Sequence, residues 1–144
     1  MSNYVQPDDL KLYFPESRLI ELSADLSTQT DWDDPTIQAN VGAAVESAEA
    51  EVDALLSPRF PVPIVPAPAR LKLAAAFLAI WYLFARKVEI SDAWEKRRKD
   101  QVDWLERVSE SELGLVVSGV ASNDDIAGEG AGLVMGGGGL DLFG

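Results

Sequence analysis

Cysteine and histidine are both absent from the 144 residues of this chain. That removes disulfides, thiolate and imidazole metal ligands, cysteine nucleophiles and every histidine-dependent triad. Only carboxylates or a lone serine remain for catalysis. Basic residues are scarce: 12 Lys and Arg stand against 24 Asp and Glu, a formal charge of −12. Tight binding to nucleic-acid phosphates needs the opposite sign, so a dedicated nucleic-acid reader is not expected. Long apolar runs are lacking as well. The charge-free stretch 73–85 is 13 residues long and bracketed by Arg70, Lys72, Arg86 and Lys87, whereas a bilayer takes about 20. A buried core helix is expected there, and no membrane association. Met1, Ser2, Asn3 and Tyr4 do not form a basic region ahead of an apolar one, so the expected site of synthesis is the cytoplasm.

What is present is material for one hydrophobic core, since 47% of the residues are hydrophobic in a chain of single-domain length. Pro7 with Asp8 and Asp9 marks a first helix over residues 7–13, because proline tolerates the first turn and acids favour the positive end of the helix dipole. Pro15 and Glu16 repeat the signal for a second short helix carrying Leu19, Ile20 and Leu22, and the polar residues 27–34 read as a loop. Asp34 and Pro35 form an N-cap and first-turn pair. Ile37, Val41, Val45, Ala48, Val52, Leu55 and Leu56 then recur at helical spacing, predicting an amphipathic helix over 35–56. Pro58, Pro61, Pro63, Pro66 and Pro68 make the next segment a connector. Residues 69–86 are apolar on most sides, which predicts a central helix. Ser91 caps a last helix ending near Ser109, with Trp94, Val102, Leu105 and Val108 on its buried side.

Four clusters invite chemistry. Asp31, Asp33 and Asp34 suggest calcium, but an EF-hand loop needs glycine at its sixth position and glutamate at its twelfth. Counted from Asp25 those positions are Thr30 and Thr36, and from Asp31 they are Thr36 and Gly42; helix capping and solvation are expected instead. Glu46, Glu49 and Asp53 share a helical side and read as an exposed acidic face. Lys96, Arg97, Arg98 and Lys99, with Trp94 and Trp104 nearby, raise the question of nucleic acid. Four consecutive helical positions point around most of the cylinder, however. A solvated or intersubunit salt-bridging face is expected. Phe77, Trp81, Tyr82 and Phe84 read as core. No catalytic, cofactor-binding or metal-binding residue is assigned.

Past Glu112 the chain is rich in glycine, with residues 136–139 all glycine and no Walker lysine. Leu133, Val134, Met135, Leu140, Leu142 and Phe143 stand as apolar anchors in it and are the candidate partner-binding residues. The expected organisation is a mainly α domain over 1–113, a small bundle of four to five helices, followed by a long extended Gly-rich C-terminal arm over 114–144.

The order of these features resembles the family of gene product thirty-six of phage Mu, which is similar to head completion and connector (neck adaptor) proteins of tailed phages. The resemblance rests on Tyr4, Pro7, Asp8, Asp9 and Leu10; on Ala48, Glu51, Val52, Asp53 and Leu55 followed by Arg59, Phe60, Pro63 and Pro66; on the apolar helix; and on Trp104, Leu105 and Val108. It covers residues 4–113. A glycine common after the last helix in the family is replaced here by residues 110–112, and the arm does not align. The resemblance implies a helical, non-enzymatic subunit of a homo-oligomeric ring of about twelve copies, seated beneath a portal protein at the virion neck. There it would meet a tail or stopper protein and pass DNA without sequence-specific binding. Two alternatives are a ring-forming tail or minor capsid component, and a small acidic protein-binding or inhibitor domain.

Overall fold

Proline sets where most of the helices begin. The computed structural model describes residues 4–110. Its elements are a 3-10 helix Pro7–Leu12, α1 Glu16–Ser23, α2 Pro35–Leu56, α3 Ala69–Lys87 and α4 Asp92–Glu110, with no strand among the described residues. Pro7 and Pro35 occupy the first turn of their helices, and Pro15 and Pro68 are the N-cap residues of α1 and α3. The missing amide of proline costs nothing there, and its fixed φ suits the entry. Asp34 completes the start of α2 by accepting the Thr36 amide at 2.8 Å. The mainly α bundle expected from the sequence is what forms, with helix ends within a residue or two except at α1, which stops at Ser23, ahead of the loop expected from residue 27. The first helix differs in kind: six residues are too few for a stable α-helix, and i→i+3 bonds such as Asp9 N to Gln6 O (2.9 Å) wind it as 3-10 and end it at Leu12.

The core sits where α2 meets α3, the most extensive helix pair in the bundle. Ile37, Val41, Val45, Ala48, Val52 and Leu56 of α2 are fully buried, as are Leu71, Ala74, Ala75, Leu78, Ala79 and Leu83 of α3. The alanines let the two backbones approach, and each large aliphatic side chain removed from water contributes about 1.5–3 kcal/mol. α3 also packs against α1, α4 and the 3-10 helix. It is the central element, as its all-round apolar character predicts.

The end of α1 is completed from elsewhere. Asn40 donates to Ser23 O (2.7 Å), Arg86 to Leu22 O (2.7 Å) and Lys87 to Ala24 O (2.6 Å), while Arg86 also pairs with Asp25. Three carbonyls at the end of an eight-residue helix thus receive donors from α2 and α3.

α3 ends through Val88 in the left-handed region (φ 55°), where Glu89 N donates back to Phe84 O at 3.3 Å. Helix ends of this kind favour glycine, and a β-branched residue is strained there. Val88 is 90% exposed, so its side chain returns almost no burial. Val88→Gly is expected to stabilise the protein by about 1 kcal/mol, raising Tm by about 3–5 °C in thermal denaturation; an unchanged or lower Tm would contradict the strain.

Candidate interaction surface

Charged side chains are sorted by the fold into clamps that hold the bundle and others that stay exposed on its surface. The first clamp lies on α2. Tyr4 and Val5 are buried, and both of their amides donate to Glu49 Oε2, at 2.7 and 3.1 Å. The Tyr4 hydroxyl donates to Asp53 and accepts the Ile64 amide at 3.1 Å. One tyrosine thereby ties the N-terminal strap, α2 and the proline-rich connector together. Burial first, and then the hydrogen bond to Asp53, push the Tyr4 phenol well above its ordinary pKa of 10.0.

This corrects the expectation that Glu46, Glu49 and Asp53 make an exposed acidic face. Only Glu46 is exposed; Glu49 is 5% exposed and Asp53 half-buried. The signal was present in the spacing, because Glu49 stands four residues after Val45 and three before Val52, on the apolar side of the helix. A carboxylate can stay there only because amides satisfy it.

The second clamp joins α2, α3 and α4. Arg98 donates to both oxygens of Glu51, at 3.0 and 2.6 Å, and its guanidinium lies 4.2 Å from the Trp81 ring centroid. The Tyr82 hydroxyl donates to Glu51 Oε1 at 2.9 Å. Burial works against the Arg98 charge, but Glu51 outweighs it and holds the pKa above its ordinary value. Arg98 is therefore half-buried and paired within the chain, where the reading of residues 96–99 expected a solvated or intersubunit salt-bridging face; it turns toward the seam because the fork of a guanidinium matches a carboxylate. Trp81 and Tyr82 are half-buried, with polar edges in use, rather than plain core; Phe84 is buried and Phe77 packs against the core.

The other residues of the basic run separate as well. Lys96 pairs with Asp100 at 3.4 Å and Lys99 with Asp103 at 2.7 Å, one turn apart on α4. Arg97 lies over Trp94, 4.8 Å from its centroid. On the same edge, Arg70 of α3 lies 4.2 Å from the Trp104 centroid and donates to Gln101 Oε1 at 2.7 Å. Burial, and then the positive charge of Arg107, lower the Arg70 pKa. A shallow hollow of about 250 Å³, lined by Glu95, Arg98, Lys99 and Val102, opens on another side of α4.

Trp32, inside the stretch read as a polar loop, is a residue the sequence reading missed. It is buried, its Nε1 donates to Asp8 at 2.7 Å, and Lys11 sits over its ring. A lone tryptophan among polar residues was the available signal. In the same loop Asp31 accepts the Asp33 amide at 3.0 Å, and Asp34 caps α2. The candidate partner-binding residues Leu133, Val134, Met135, Leu140, Leu142 and Phe143 lie outside the described residues, as does the domain boundary at 113/114. Among the described residues no helix is long and apolar enough to cross a membrane.

Compared with known families, the chain matches the model described as Bacteriophage Mu, Gp36 over residues 4–133. The match takes in every described residue and runs beyond the 4–113 of the sequence resemblance, into the arm. No curated protein matches.

Two outcomes test the first clamp. Glu49→Ala leaves the Tyr4 and Val5 amides without their buried acceptor and is expected to cost about 2–4 kcal/mol in denaturant unfolding, with Glu49→Gln milder; a loss within about 0.5 kcal/mol, ordinary for a surface substitution, would contradict the clamp. The raised Tyr4 pKa contributes stability that is fully present below the unfolded value near 10.0 and is lost as pH rises through the higher folded value. Wild type should therefore lose stability above pH 10 more steeply than Tyr4→Phe in matched melts, and equal slopes would count against it.

Proposed function

Since the chain belongs to the Bacteriophage Mu Gp36 family, we propose that this phage protein is a structural part of the virion: a head-to-tail connector (adaptor) subunit. In this reading, copies form a ring beneath the portal, join head to tail and line the passage for DNA. The family match over residues 4–133 is the observation that carries it. The role is mechanical, and no catalytic step is assigned to any residue.

Three physical features support the reading. The clamps through Glu49 and Asp53 and through Glu51 with Arg98 link segments 44 to 49 residues apart and cross-tie the bundle, which suits a part that transmits load between two assemblies. A ring repeating a charge of −12 per copy presents a negative channel that repels phosphate and lets DNA slide without sticking. Leu26 and Val88 are exposed apolar residues that immediately follow the Arg86–Asp25 and Lys87–Ala24 ties in the chain, and they suit a contact with a neighbouring subunit. In the arm, Leu133, Val134, Met135, Leu140, Leu142 and Phe143 dock onto the portal or an adjacent subunit, for instance by adding a strand to an exposed edge.

Electron microscopy of the intact particle, classified on the vertex where head meets tail, tests the proposal. A ring of this chain in contact with the portal is the expected result. A vertex lacking the chain, or co-purification with the tail tube in place of the portal, would refute the connector role and favour a tail component.

A further inference from the structure

The edge of α4 that carries Arg97, Trp104 and Arg107, together with Arg70 of α3, is a strip of cations that the fold leaves unneutralised. None of the ion pairs among the described residues involves Arg70, Arg97 or Arg107. Arg97 and Arg107 are exposed, and Arg107 lies close enough to disfavour the charge on Arg70, an effect that the nearby Asp100 opposes without forming an ion pair. The guanidiniums of Arg70 and Arg97 lie over the rings of Trp104 and Trp94, 4.2 and 4.8 Å from the centroids. In a chain with twice as many acids as bases, three unpaired arginines on one edge call for an anionic occupant.

The sequence supplies one. Every lysine and arginine lies between Lys11 and Arg107, whereas residues 111–144 hold Glu112, Asp124, Asp125, Glu129 and Asp141 and no base. That segment starts where α4 ends, beside Arg107. From Arg97 to Arg107 is about 15 Å along the helix, and the 14 residues from Glu110 to Asp124 extend up to about 46–50 Å. The reach therefore exceeds the span. A tethered segment meets its site at a local concentration of about millimolar, which favours the same chain over a separate acidic partner.

We propose that the acidic segment 112–129, which leads into the C-terminal arm, docks on the Arg70–Arg97–Arg107 strip of its own chain. This inference concerns a single copy of the chain, and its failure leaves the connector reading untouched.

The absence of cysteine makes the test direct, because Ser122→Cys gives one attachment point for a nitroxide beside Asp124 and Asp125. In the full-length, nitrogen-15-labelled protein, the label is expected to erase the amide signals of residues 97–107. The signals return at about 1 M NaCl, where the screening length falls to about 3 Å. They also return in the Arg97→Glu, Arg107→Glu double variant, whose circular dichroism checks that the helices persist. Adding Asp124→Lys and Asp125→Lys to that variant restores the erasure. Intact α4 signals in the labelled parent overturn the proposal, as does an erasure that the arginine variant leaves in place. Erasure seen only when nitroxide-labelled and isotope-labelled copies are mixed assigns the strip to a second copy, and also overturns it. The same holds if short duplex DNA shifts the α4 signals while the nitroxide does not affect them.

Discussion

A carboxylate buried on the apolar side of α2 is the constraint around which the N-terminal half is arranged. Glu49 stands among Val45, Ala48 and Val52, where a charge is admissible only if donors are brought to it. The strap supplies them as the Tyr4 and Val5 amides, which fixes the strap's path along α2. That path places the Tyr4 hydroxyl between Asp53 and the Ile64 amide, so the proline-rich connector is set by the same contact. The chain's first described residue and its least regular segment are thus positioned by one helix.

Apolar periodicity made the skeleton legible. The spacing from Ile37 to Leu56 and the uncharged stretch 73–85 correspond to α2 and α3, and Pro7, Pro15, Pro35 and Pro68 to helix starts. Periodicity sorts residues by polarity, and it fails where a polar side chain is buried with partners distant in sequence. Glu49, Trp32 and the half-buried Arg98 are such cases: their partners lie 44, 24 and 47 residues away, so local spacing can flag Glu49 and Trp32 as out of place but cannot say what they touch. The family resemblance quoted Tyr4, Glu51 and Asp53, which prove to be members of the two clamps, but it could not say what they touch.

On α4, four adjacent basic residues meet three kinds of partner, set by their angular positions and by what the neighbouring helices present there. Arg98 faces the seam and meets Glu51; Lys96 and Lys99 meet the aspartates one turn on; Arg97 lies on Trp94. A run of like charge in a sequence is therefore no single feature. What matters for recognition is which members the helix leaves without a counter-charge, and that depends on the neighbouring helix as much as on the run.

The way α1 ends has a mechanical consequence. Eight residues cannot hold a helix on their own in water, and the carbonyls that would fray first are held by Asn40, Arg86 and Lys87. α1 is consequently a dependent element, whose order reports the integrity of α2 and α3. Two of those three donors sit in the last turn of α3, immediately before the strained Val88. A force or contact applied at that turn would be felt some sixty residues earlier in the chain, at Leu22 to Asp25.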